Sequence, residues 1–276
     1  MSCSIRLKSG PSQRNSPQRS SCSGCPEDSS VTANEDRRLL LLTLAPSHYC
    51  ERARWALDLQ GIVYDEERLA PGTHALRVKR LGASATSLPL LLLGDGSLCQ
   101  GSDRILDWTG LRGGDPEIER RLEQTTAPLI RQCLYAGLLS DPKSGIRDVL
   151  LRGTNAHQAT IGRLTWPLLR RMMAAGMNAR PRLLPDLIAQ VDRELDWFDR
   201  VLAERGDHLV GREFGRADLT AASLLAPLAL PHVEPVKSLS AGIRWPHSLA
   251  PFLAGWSDRP TLEWVRRMYQ AHRAPL

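Results

Sequence analysis

Ser47 stands three residues ahead of Cys50, just after the apolar run Leu39 to Leu44 and at the start of a segment with helical spacing. A hydroxyl and a thiol in that place lie where the first backbone N–H groups of a helix have no partner and the positive end of the helix dipole converges. Such a site stabilises a thiolate. The thiolate need not be the chain's own: a hydroxyl donor there can hold the sulfur of a bound thiol. The ordinary pKa of such a thiol, about 8.5, leaves it mostly protonated at neutral pH, and lowering it makes a nucleophile. Cys50 is the alternative reacting group, Tyr49 a competing hydroxyl donor, and Ser47 also serves as a plain helix cap. Cys22-Ser-Gly-Cys25 has zinc-ligand spacing. No second Cys or His pair follows at a suitable distance, so no metal is expected.

The elements that position Ser47 and Cys50 are legible around them. Leu39–Leu44 reads as a buried strand, Cys50–Gly61 as a helix closed by its glycine, and Ile62-Val63-Tyr64 as a second strand. Strand, helix and strand follow one another at the size of a parallel crossover unit. After the polar stretch Asp65 to Ser87, Leu90–Leu93 and Ser97–Cys99 flank Gly94-Asp95-Gly96 as a hairpin. Pro89 stands before the first of these strands, and Ser102 is expected to cap a short helix. From Asp115 onward only helical periodicity is found, near Pro116–Leu139, His157–Met177, Pro185–Arg205, Thr261–Arg273 and from Arg216 through Leu225. Pro167 should interrupt any helix that crosses it. The expected organisation is an extension over 1–36, an α/β domain over 37–110 and an all-helical domain over 115–276.

Composition narrows the function classes. The chain has 276 residues, 42% of them apolar and 24% charged, as in an ordinary globular protein of one or two domains. Its longest uncharged runs, Leu39 to Cys50 and Leu219 to Val233, are too short to span a bilayer. The net charge of +6 lacks the clustered surplus that binding to nucleic acid or a membrane calls for, so neither partner is expected. Residues 1–36 are rich in Ser, Pro and Gly and read as disordered. The first 26 residues carry basic groups and no acid, which is also the composition of an organellar transit peptide. Sparse cysteines without a secretory signal suit a reducing, cytoplasmic setting. Val149 to Pro185 contains six arginines and no Asp or Glu, with Met172, Met173 and Met177 interleaved. It is either a solvated basic face over a core stripe or the border of a pocket for an anionic or bulky apolar co-substrate.

Residues 39–108 resemble the thioredoxin-like N-terminal domain of cytosolic glutathione S-transferases, and Ser47-His48-Tyr49-Cys50-Glu51-Arg52 resembles the active-site helix of their serine-type theta and zeta classes. The resemblance implies that Ser47 activates glutathione. Leu88-Pro89-Leu90-Leu91 is similar to the family's cis-proline segment, which implies that the Leu88 backbone holds the cysteinyl part of the tripeptide. Asp95 to Leu106 is similar to the next motif, so Ser102 receives the γ-glutamyl end. Gly101 replaces the usual acidic residue there, and Gln100 or Asp103 would substitute for it. Leu209 to Thr220 resembles the family's folding motif, with Asp218 retained and Gly215 where Ser or Thr is usual, and Trp256 to Pro260 resembles the C-terminal end. The implied protein is a homodimeric detoxification enzyme joining glutathione to a small hydrophobic electrophile, with glutathione as co-substrate. Two alternatives remain: a non-catalytic binding module of the same fold, and a glutathione-dependent thiol reductase using Cys50.

Overall fold

The computed structural model describes residues 38–233 and 236–273, so the extension read over 1–36, with Cys22 and Cys25, lies outside the described residues. Its first part contains β1 (Leu39–Thr43), α1 (His48–Leu59), β2 (Tyr64–Arg68), α2 (Thr73–Arg80), β3 (Leu90–Leu92), β4 (Leu98–Gln100) and α3 (Ser102–Thr109). The four strands lie in the order β2-β1-β3-β4. β1 and β2 are parallel, and β3 is antiparallel to both β1 and β4. The crossover and the hairpin expected from the sequence are therefore both present, and the sheet is thioredoxin-like.

Three local expectations shift. The second strand begins at Tyr64 and runs into the charged Asp65–Arg68, leaving Val63 78% exposed. Ile62 is not free to begin it, because its N–H closes α1 by donating to the Leu57 carbonyl at 3.0 Å. As an edge strand β2 tolerates charge, and charge there blocks unwanted pairing. Helix α2, inside the stretch read as polar, buries only Val78, too little for a recognisable apolar stripe. At α3 the cap is Gly101, with φ 102°, and Ser102 is the first helical residue.

The rest of the chain is helical: α4 (Pro116–Arg121), a π-helical turn (Leu122–Thr126), α5 (Ala127–Leu138), α6 (Ile146–Leu150), α7 (Ala156–Leu164), α8 (Trp166–Gly176), α9 (Leu184–Arg205), α10 (Arg216–Ala229), α11 (Val236–Ser240), α12 (Ala250–Trp256) and α13 (Pro260–His272). The helix expected over His157–Met177 breaks at Thr165, and Pro167 falls in the first turn of α8, where a missing N–H costs nothing. Among the described residues no helix is long and apolar enough to cross a membrane.

One core joins the two parts. Trp55, Ala56 and Leu106 pack with Ile130, Leu195, Leu224, Trp264 and Tyr269 from the helices. Helix α1 is buried on nearly every side, and its charged residues are accordingly paired. Arg54 reaches Glu51 at 3.0 Å and Glu66 at 2.8 Å, while Arg273 reaches Glu51 at 2.9 Å and Asp58 at 2.8 Å. Arg52, fully buried, lies between Glu123 and Glu119. The Trp55 indole N–H donates to the His272 carbonyl at 3.2 Å.

The start of α10 explains the departure at Gly215. The Asp218 carboxylate accepts from the N–H groups of Gly215 at 2.9 Å and Leu209 at 2.8 Å. The N–H groups of Arg216 and Ala217 donate to the Arg112 and Gly113 carbonyls at 2.8 and 3.0 Å. A Cβ on Gly215 would stand 3.1 Å from both the Arg112 oxygen and the Gly113 Cα. A hydroxyl-bearing cap would crowd that backbone.

Candidate active site

Ser47 caps α1 from an extended conformation, and its Oγ accepts from the Cys50 N–H at 3.3 Å. That bond uses an acceptor lone pair, and the hydroxyl proton can turn either to the Cys50 sulfur or outward to a ligand. Ser47 is half-buried, whereas Cys50, one turn on, is fully buried. The Cys50 Sγ accepts from the Leu44 N–H at 3.4 Å. Burial pushes the thiol up, against the opposing influence of Arg54 and the Ser47 hydroxyl. A thiol in that condition is a poor nucleophile.

The remaining predicted residues gather at the same end of the sheet. The Leu88-Pro89 peptide bond is cis. Leu90 pairs with Leu42, so Pro89 and Leu88 run back beside the end of β1 that leads to Ser47. The Pro89 carbonyl accepts from the Gly101 N–H at 3.0 Å, which fixes the start of α3 against the proline. Ser102 is buried in the first turn of α3. That turn has no side-chain cap, leaving N–H donors at the positive end of the helix, an arrangement suited to a carboxylate. A Cβ at Gly101 would meet the Asp103 Oδ1 at 2.6 Å, so the acidic residue missing at 101 is replaced in space by the Asp103 carboxylate folding back. Gln100 donates from Nε2 to the Ala85 and Ser87 carbonyls at 2.9 and 2.8 Å. Both its donors therefore brace the loop before Leu88 rather than facing a ligand.

Tyr49 turns towards the helical part, where its hydroxyl donates to the Glu123 carbonyl in the π-helical turn at 3.4 Å. π-helical turns are frequent at functional sites. Burial pushes the phenol up. Three neighbours surround it, of which Arg131 and Glu123 could not be foreseen from the sequence. His48 is buried, with its ring 4.5 Å from that of Tyr49. Burial first and the Arg131 charge second lower its pKa to about 3, so it is neutral at physiological pH. Arg131, on α5, holds its guanidinium 5.8 Å from the Tyr49 ring centre. Glu123 supplies both the carbonyl and the partner of Arg52. The only sequence signal of Arg131 and Glu123 was membership of a helix, which does not say which face meets Tyr49. Among the described residues no group of three His, Cys, Asp or Glu side chains could hold a metal ion.

A thioredoxin-like sheet with a hydroxyl-capped α1, a cis-proline and an uncapped α3, followed by an all-helical part, is the architecture of glutathione transferases. Residues 41–113 match the family model described as the glutathione S-transferase N-terminal domain. Among solved structures the chain is similar to glutathione transferase GSTFuA3 from Phanerochaete chrysosporium, at 14% identity over 87% of this chain and 99% of that one, with a TM-score of 0.59. It is also similar to the glutathione S-transferase CsGST63524 of Ceriporiopsis subvermispora, in complex with glutathione, at 16% identity over 87% and 99%, with a TM-score of 0.55. No curated protein matches the chain. At these identities the solved structures establish the fold alone, and the family match applies to residues 41–113.

Proposed function

We propose that the chain is a serine-type glutathione transferase, with its glutathione-binding domain over 37–110 and its helical domain over 115–276. The Ser47 hydroxyl donates to the glutathione sulfur and stabilises it as a thiolate. The Leu88 backbone beside Pro89 holds the cysteinyl part, and the start of α3 at Ser102 receives the γ-glutamyl carboxylate. The thiolate attacks a small hydrophobic electrophile held against the helical part, and most of the acceleration comes from thiolate activation and proximity. A homodimer, a cytoplasmic location and a role in detoxification belong to the same reading.

The observation that carries it is the contrast within one helical turn: Ser47 is half-exposed with a donor to offer, while Cys50 is buried with its thiol pushed up. This favours transfer over a Cys50-dependent reductase. Glutathione binding is measured by calorimetry at two pH values, together with turnover of an activated aryl chloride. Wild type should release a proton on binding. Ser47→Ala should lose that release and about 10²–10³-fold in kcat/KM, the usual cost of removing one donor to a developing anion. Cys50→Ala should conjugate within about 2-fold of wild type. Binding without proton release in wild type, or turnover that depends on Cys50, would sink the reading.

A further inference from the structure

Arg131 is an exposed cation beside an aromatic ring. Its guanidinium lies over Tyr49, two residues on from Ser47, and Tyr135 follows one turn later on α5. Other arginines near this face are tied to carboxylates: Arg52 to Glu123, Arg121 to Glu194, Arg216 to Glu119. Among the described residues no carboxylate pairs with Arg131. The acid-free stretch 149–185 is fastened to the same helix, through the Gln132 Nε2 on the Asn178 carbonyl at 3.0 Å and the Arg170 Nη1 on the Leu139 carbonyl at 3.3 Å. The basic stretch thus lies next to α5, and an arginine beside an aromatic ring can bind a planar anion through two parallel hydrogen bonds while the ring takes the apolar body.

Resting on the transferase reading, we propose that Arg131 selects electrophiles bearing an anionic group, an aryl carboxylate or sulfonate, and that Tyr49 and Tyr135 flank their ring. The basic stretch over 149–185 contributes the surrounding field. The reaction is an ordinary displacement: the glutathione sulfur bonds to the ring carbon, the halide leaves with the bonding pair, and the thiol proton passes to solvent.

The test uses two electrophiles that differ in charge, 4-chloro-3-nitrobenzoate and 4-chloro-3-nitrobenzamide, with wild type, Arg131→Gln and Arg131→Lys. Wild type should prefer the benzoate by at least about 10-fold in kcat/KM, equivalent to one charge-assisted pair. Arg131→Gln should erase that preference mainly through KM, leaving the amide within about 2-fold, and Arg131→Lys should restore part of it. An equal loss for both electrophiles, or weakened glutathione binding in Arg131→Gln, would overturn the proposal. Calorimetric binding of 4-nitrobenzoate to the glutathione-saturated protein reads Arg131 without turnover. If neither electrophile reacts, the transferase reading falls, and tenfold weaker benzoate binding in Arg131→Gln still decides for the anion site while unchanged binding decides against it.

Discussion

Helices α3 and α10 both begin at a glycine with no side-chain cap, Gly101 and Gly215, and the two starts are finished in opposite ways. At α10 the chain supplies its own partners: Arg112 and Gly113 carbonyls take the N–H groups of Arg216 and Ala217, and the buried Asp218 takes those of Gly215 and Leu209. At α3 the only outside bond of this kind among the described residues is Gly101 to the Pro89 carbonyl, one residue before the helix. Glycine at 215 makes room for another segment of backbone, and glycine at 101 accommodates a positive φ. One residue type thus closes a structural joint in one place and leaves a helix start without a side-chain cap in the other. The difference lies in what approaches from elsewhere in the chain.

The largest expected effect is at the closed end. Asp218→Ala strands two buried N–H donors and should cost about 3–5 kcal/mol in urea unfolding. A loss below about 1 kcal/mol would remove the contrast between the two starts. The start of α1 supplies an intermediate case, because its first residue, His48, is buried and neutral. Its folded pKa of about 3 lies below the unfolded value of 6.5. The unfolded chain alone therefore takes up the proton between these values, and stability falls as pH drops below about 6.5, by about 1.4 kcal/mol per unit. Unfolding at pH 6.5 and 5 should differ by about 2 kcal/mol from this group, and His48→Phe should flatten that difference. The smallest effect is at the open end: Ser102→Ala should weaken glutathione about 10-fold by calorimetry while shifting stability by less than about 1 kcal/mol. A stability loss comparable to that of Asp218→Ala would make α3 a closed joint as well.

Much of this arrangement was legible from residues 39–109. Leu39–Thr43, α1 and the hairpin follow from dense local signals: an apolar run, a cap, a glycine stop and a Gly-Asp-Gly turn. The β2 register slipped because Ile62 is consumed in closing α1, a bond that apolar character alone does not reveal. Helix α2 was missed because one buried residue marks its face, and α6, α11 and α12 because at 5, 5 and 7 residues they are too short to show a helical period. The motifs single out Ser47, Leu88, Pro89 and Ser102, and the fold brings these four to one end of the sheet. Gln100 could not be assigned its bracing role, since that depends on where Ala85 and Ser87 return. Arg131 and Glu123 meet Tyr49 across the joint between the two parts, at a distance in sequence where spacing carries no information.

The pairing of Arg273 with Glu51 spans 222 residues of chain. It has a kinetic consequence: the strands and hairpin can assemble from near neighbours, but in the helix capped by Ser47 the Glu51 carboxylate has only Arg54, one turn on, as its partner until the end of α13 has docked. Closing so long a loop must precede the stabilisation it yields, which slows folding. The sheet is expected to protect its amides from hydrogen exchange early during refolding, with α1 becoming protected only together with α13.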